Sequence, residues 1–250
     1  MATCVEFFGA KRDLGSITNA DMEDFVAWLR SKEYAPATVR QKVCVMSKAF
    51  SHFHRRGNLR SIPKVDLPKI GDNTRDRVIT EEEFDKLLNI TVHDLPGNRG
   101  GDLAHLWLIL LDTGARPSEL RMVTRGDIRG DLMTFRDTKT GVSRTVPLTD
   151  RAKKATEVLL EMHGEYPFLW ASPATIRHAW DFARERMGLS DDEGFIPYAL
   201  RHTCATRLYA KTKDLMLVQK WMGHADIKMT LRYAKLQPMD LQNARDLLAN

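Results

Sequence analysis

Four side chains carry groups that could grip a phosphate and act on it. They are two arginines, a histidine and a tyrosine, in the order Arg116, Arg201, His224, Tyr233, separated by 85, 23 and 9 residues. A guanidinium presents paired N–H donors that match two oxygens of one phosphate, a geometry a lysine cannot reproduce. Arg116 lies in Thr113-Gly-Ala-Arg116-Pro-Ser-Glu-Leu120. Pro117 suits the first position of a helix, so Arg116 falls at or beside the N-cap, where its guanidinium and the free backbone N–H groups can face one anion together. Arg201 sits in Tyr198-Ala-Leu-Arg201-His202, with Tyr198 three residues before it on a flank of the same helix. His224 follows Met222-Gly223, and Tyr233 closes Thr230-Leu-Arg-Tyr233. Singly, each also has a structural reading. Arg116 can pair with Glu119, His224 can be a hydrogen-bonded core histidine, and Tyr233 a packed aromatic. The combination is what points to chemistry on an anion.

The elements that must position these groups are mostly helices. Leu200, Cys204 and Leu208 recur at i, i+4, i+8 and form the buried stripe of the helix that carries Arg201. Asp226 can cap a helix between His224 and Tyr233. One hairpin interrupts the helical pattern, with Leu132–Asp137 and Arg144–Leu148 as short β-type runs joined across Gly141. Upstream, Thr18 or Asn19 caps a helix with apolar Met22, Phe25, Val26 and Leu29 running to about Ser31. A longer helix carries Val39, Val43, Met46, Ala49, Phe50 and Phe53 and stops at Gly57. A stretch rich in turn residues, from Pro63 to Asn73, ends at a Thr80–Glu83 capping box. The expected organisation is a helical domain over residues 1–72 and a second domain over 73–250. The fold class is mainly α with a small β-hairpin or sheet.

Composition narrows the function classes. The chain has 250 residues, 43% of them hydrophobic and 28% charged, with a net charge of +5; this is an ordinary globular composition, long enough for two modest domains. Its most apolar run, Leu103 to Leu111, is about half of the roughly 20 residues that span a bilayer, so no membrane partner is expected. The N-terminus lacks the features of a secretory signal, and a cytoplasmic location is expected. Cys4, Cys44 and Cys204 have the spacing neither of a disulfide framework nor of a zinc site, and no metal or cofactor is called for. Positive charge concentrates early. Between residues 29 and 64, nine Lys or Arg residues face only Glu33. Arg40, Lys42, Lys48, Arg55 and Arg56 are its candidates for contact with a phosphate backbone, a solvated helix face being the alternative reading.

These motifs together resemble the tyrosine recombinases, also called phage-type integrases. Ala115-Arg116-Pro117-Ser118-Glu119-Leu120 looks like the family's first box, Leu200-Arg201-His202-Thr203 like its second, and Gly223-His224 leading to Tyr233 like its third. Lys139, in Asp137-Thr-Lys139-Thr-Gly141, is similar to the family's catalytic lysine, and residues 15–63 resemble its helical core-binding domain. One departure is Tyr198, which stands where the family's second box usually begins with His.

The resemblance implies a site-specific recombinase that binds a double-stranded target site as a homotetramer. Tyr233 would attack the scissile phosphate and form a 3′-phosphotyrosyl intermediate that conserves the bond energy. Arg116 and Arg201 would hold the non-bridging oxygens, His224 and Tyr198 would hydrogen-bond the phosphate, and Lys139 would protonate the leaving oxygen. It further implies a tail after Tyr233 that docks on a neighbour, or packs in cis, through Leu236, Met239, Leu241, Ala244, Leu247 and Leu248, and a chain too short for the arm-binding domain of lambda-type integrases. Two alternatives share many of the residues: a DNA-binding relative with a retired active site, and a type IB topoisomerase-like or resolving enzyme.

Overall fold

The computed structural model describes residues 2–69, 76–136 and 143–234. The chain divides into two compact units, Met1–Thr74 and Arg75–Asn250. Lys139 and the apolar positions after residue 234 lie outside the described residues.

The first unit is helical: α1 (Ala2–Phe8), α2 (Asn19–Ser31) and α3 (Pro36–Arg55). Thr18 starts α2 with a capping box, its Oγ1 accepting from the Asp21 N–H (3.2 Å) while Asp21 accepts from the Thr18 N–H (2.8 Å). Pro36 opens α3, where its missing N–H costs nothing. The periodic apolar faces of the two helices meet in one core of Met22, Phe25, Val26, Leu29, Val39, Val43, Met46 and Phe50. Each such side chain, fully buried, stabilises by about 1.5–3 kcal/mol relative to exposure. No local signal marks α1. It is a two-turn helix too short to stand on propensity, and it is held by tertiary packing, with Phe7 and Phe8 set 5.3 and 5.1 Å from the ring of Phe25.

The second unit is built around α5 (Gly100–Thr113), apolar nearly all round and buried against α4 (Glu81–His93), α7 (Asp150–His163) and α9 (Tyr198–Thr212). Thr80 and Glu83 form the expected capping box at the start of α4. Trp107 of α5 meets Trp180 of α8 (Pro173–Arg186) edge to face at 5.3 Å. The remaining helices are α6 (Pro117–Leu120), α10 (Leu215–Met222) and α11 (Lys228–Leu231).

The hairpin expected from the sequence is part of a three-stranded antiparallel sheet ordered β1-β2-β3: β1 (Ile128–Arg129), β2 (Leu132–Phe135) and β3 (Arg144–Pro147). Met133 pairs with Val146, and both are buried. The added strand is two residues long, too short for any alternation to be read. The fold is thus mainly α with a small sheet. Among the described residues no helix is long and apolar enough to cross a membrane, and no cluster of His, Cys, Asp and Glu could hold a metal ion.

Candidate active site

Two helix ends and two glycines bring the sequence motifs together. Helix α5 stops at Gly114, which adopts the left-handed conformation (φ 63°). A Cβ at Gly114 would lie 2.8 Å from Met222 and 3.1 Å from the Cys204 sulfur, so glycine alone lets the turn sit against α9 and the end of α10. This turn delivers Arg116 to the N-cap of α6, in extended backbone, with Pro117 at the first helical position as expected. Helix α10 ends at Gly223 (φ 64°), again left-handed, and the chain turns there to present His224.

Arg116 and Arg201 are held in opposite ways. Glu119 Oε2 accepts from the Arg116 backbone N–H (3.1 Å), and its carboxylate also pairs with the Arg116 guanidinium. The same carboxylate takes Arg144 Nη2 at 2.8 Å. Burial pushes the Glu119 carboxyl up, but Arg144 and Arg116 bring it below its ordinary range, so it stays ionised. Burial also works against the Arg116 charge, and Glu119 more than offsets it.

Arg201 has no carboxylate. It is 1% exposed, and its Nη1 and Nη2 donate to the backbone carbonyls of Gly114 (2.6 Å) and Met222 (2.5 Å), while its Nε has no partner. Burial, and then the charges of Arg116 and Arg144, push its pKa down to about 10. The two carbonyl acceptors are what allow full burial. Tyr198, expected beside it, remains 42% exposed and in hydrogen-bonding reach of Arg116.

His224 is buried, with Nδ1 2.9 Å from Thr230 Oγ1. Burial and the surrounding Arg201, Arg116, Arg144 and Arg232 push its pKa down to about 4, which makes it a neutral imidazole at pH 7. Tyr233 stacks on it (6.3 Å, 7° between planes) and packs against His202 at 5.1 Å. Burial raises the pKa of the Tyr233 phenol and so keeps it protonated. The helix between them starts one residue later than a cap at Asp226 implies. Helix α11 begins at Lys228, and Asp226 accepts from the Lys228 N–H (2.9 Å) one residue ahead of the N-cap. Arg232, next to Tyr233, reaches Asp76 at 3.5 Å.

A cavity of about 640 Å³ opens along this cluster, lined among others by Arg116, Glu119, Arg144, Lys220 and His224. Tyr233 is not among the lining residues; its ring stacks on His224, which is. Arg116, Arg201, His224 and Tyr233 therefore converge, Tyr198 stands at the edge of the cluster, and Lys139 falls outside the described residues. Sequence reasoning missed Arg144 and Thr230. Nothing local marks either of them: Arg144 reads as a strand-end charge and Thr230 as one threonine among many.

In the first unit Arg40, Lys48, Arg55 and Arg56 are exposed, as a phosphate-tracking face requires. Lys42 is tied down instead, donating to Thr3 Oγ1 (2.7 Å) and lying 4.6 Å from the Tyr34 ring.

The model of the phage integrase family matches residues 77–239. A tyrosine recombinase XerC from Herpetosiphon aurantiacus is 28% identical over 246 residues, an alignment covering 90% of this chain and 79% of that protein. A putative integrase of Pseudomonas phage Pf1 is 28% identical, covering 90% of this chain and 66% of that protein. Among solved structures, the Tn1549 transposon integrase in complex with transposon right end DNA superposes with a TM-score of 0.73 at 18% identity, over 97% of this chain and 89% of that one. XerH site-specific recombinase bound to its difH substrate gives 0.69 at 20% identity, over 97% and 76%.

Proposed function

Since the chain belongs to the phage integrase family, the tyrosine recombinases, we propose that it is a site-specific DNA recombinase that breaks and rejoins strands at a double-stranded target. The observation that carries this reading is the convergence of Arg116, Arg201, His224 and Tyr233, from three separate motifs, beside one cation-lined cavity. The Tyr233 oxygen attacks a backbone phosphorus and forms a 3′-phosphotyrosyl bond as the bond to the 5′ oxygen breaks. That oxygen takes a proton from Lys139, the Tyr233 proton leaves to a base or to water, and a 5′ hydroxyl attacking in the reverse sense reseals the strand. The phosphorane carries more negative charge than the ground state. Guanidiniums fixed beforehand stabilise it without reorganising at the moment of reaction. Neutral His224 suits a hydrogen bond to a phosphate oxygen, and an arriving anion offsets the arginine charges that keep the imidazole unprotonated.

The basic face of the first unit supplies sequence-independent grip on the duplex. Four copies on two duplexes are the expected assembly, and the host cytoplasm, where the DNA is, the place of action. Integration, excision and resolution of dimers share this reaction.

The test is covalent capture. Wild-type chain incubated with fragments of its source genome should leave adducts that survive denaturation, whereas Tyr233→Phe should leave none. Undiminished adduct from Tyr233→Phe overturns the assignment of the nucleophile. Product topology then separates recombination from relaxation of supercoils.

A further inference from the structure

Arg144 is the first residue of β3, and its side chain is 11% exposed. Three directions of its guanidinium are committed. Nη2 meets Glu119 Oε2 at 2.8 Å, Nε donates to the Trp221 carbonyl at 3.0 Å, and the planar group lies 4.6 Å from the ring of Phe135, its cross-strand partner. The fit on the remaining side is close, since a Cβ at Gly223 would come within 2.8 Å of Arg144 Cδ. Arg144 also lines the cavity beside Arg116 and His224.

These contacts join three segments that are distant in sequence. Through Glu119, Arg144 reaches the carboxylate that holds Arg116. Through the Trp221 carbonyl it reaches the last turn of α10, two residues before the glycine turn that presents His224. We infer that Arg144 is a positioning residue: it fixes the Arg116 box and the His224 turn in one frame, and it does so through Glu119 and the α10 carbonyl, without touching the phosphate. The inference rests on the recombinase reading and adds to it a residue that neither the motifs nor the spacing marked.

The physical reason for arginine here is the pair of divergent donors in one rigid plane. A lysine places one charge on one partner and loses the other bond and the ring contact. Glu119 gains too. It is a buried carboxylate serving two cations, and with Arg144 gone it would hold Arg116 alone.

Single-turnover adduct formation on a nicked duplex, built on the site where the wild-type chain is captured, gives the kinetic test. Arg144→Gln should slow adduct formation about 100-fold, as a displacement of reacting groups by an ångström does, while affinity for the same duplex is retained. Arg144→Lys should recover part of that loss. Because Arg144 acts in part through Glu119, adding R144Q to Glu119→Gln should cost clearly less than R144Q costs in the wild type, the remainder being the Trp221 arm.

A second arm uses the free protein without DNA. Nitrogen NMR of the arginine Nε–H groups should give an ordered, slowly exchanging Arg116 signal in the wild type and a fast-exchanging one in R144Q. R144K takes its place if R144Q does not fold by circular dichroism. An unchanged Arg116 signal in a folded variant, or a full loss of rate when R144Q is added to Glu119→Gln, overturns the inference. Wild-type chain that forms no adduct with any duplex sinks the recombinase reading instead, and the Arg116 signal still decides the role of Arg144.

Discussion

The two units use positive charge in contrasting ways. In the first, Arg40, Lys48 and Arg55 on α3 and Arg56 at its C-cap stand in solvent, and the core beneath them is apolar. In the second, Arg116, Arg144 and Arg201 are drawn into the protein, and each is met by a carboxylate or by backbone carbonyls. Solvated charge is cheap, mobile and screened by salt, so it suits binding that must track any phosphate backbone. Buried charge is costly to assemble but fixed in direction, which suits a transition state whose charge develops at one place. If the contrast is functional, substitutions in the two regions should fail in different ways.

The largest effect should come from Arg201. Arg201→Lys keeps a cation but cannot satisfy both the Gly114 and Met222 carbonyls and still present a donor to phosphate. Adduct formation should fall by about 10³-fold, at the upper end for loss of an oxyanion donor, with affinity for DNA changed far less. A loss of affinity that matches the loss of rate would show that Arg201 behaves like the solvated cations of α3, and the contrast would collapse.

Next comes pH. In the folded chain His224 protonates only near pH 4, against an ordinary value of 6.5, because of burial and the facing Arg201, Arg116, Arg144 and Arg232. Between those values the unfolded state holds the extra proton. Stability therefore rises with pH through that window and is lost as pH falls from about 6.5 toward 4, by up to roughly 3 kcal/mol from this one group. Urea denaturation of the wild type and His224→Gln across pH 4–7.5 checks this, the variant having the shallower slope. Equal slopes would mean that the imidazole does not feel the arginine cluster.

A smaller and different effect is expected from α3. Replacing Arg40, Lys48 and Arg56 together by Gln should weaken DNA binding about tenfold at moderate salt and reduce the slope of log affinity against log salt by about three. The loss should fall on affinity, the reverse of Arg201→Lys. Lys42→Gln should do less than any of the three, since its ammonium is engaged with Thr3 and Tyr34.

Much of the molecule could be read from the sequence, for physical reasons that also explain the rest. A cap at Thr18, the capping box at Thr80, proline at the first position of α6, and apolar periodicity are local signals, and they gave α2, α3, α4 and the Arg116 turn. Short elements held by tertiary contact were not legible: α1 depends on Phe25, and β1 is two residues long. The site divides along the same line. Arg116, Arg201, His224 and Tyr233 stood out because their residue types and spacing matched a known pattern. Arg144 did not, because its meaning lies in Glu119 and Trp221, 25 and 77 residues away. Nor could the wheel tell that Arg201 is buried, since the carbonyls that permit it come from two other segments.

The smallest expected effect concerns Tyr198, which belongs to the buried region by sequence but to the exposed class by environment. It is 42% exposed and linked to Arg116. A phenol is a poorer proton acceptor at pH 7 than an imidazole, which can both accept and donate. Because the side chain is exposed, Tyr198→His costs little packing and leaves the guanidinium frame of Arg116, Arg144 and Arg201 intact. Adduct formation should be equal to the wild type or a few-fold faster at pH 7.5, about what one better-matched proton acceptor adds at a site that already reacts. A new acid limb near pH 6.5 should mark the imidazole as its source. A large fall would show that the phenol holds Arg116 as firmly as Glu119 does, and the line between fixed and solvated groups would have to be redrawn around Tyr198.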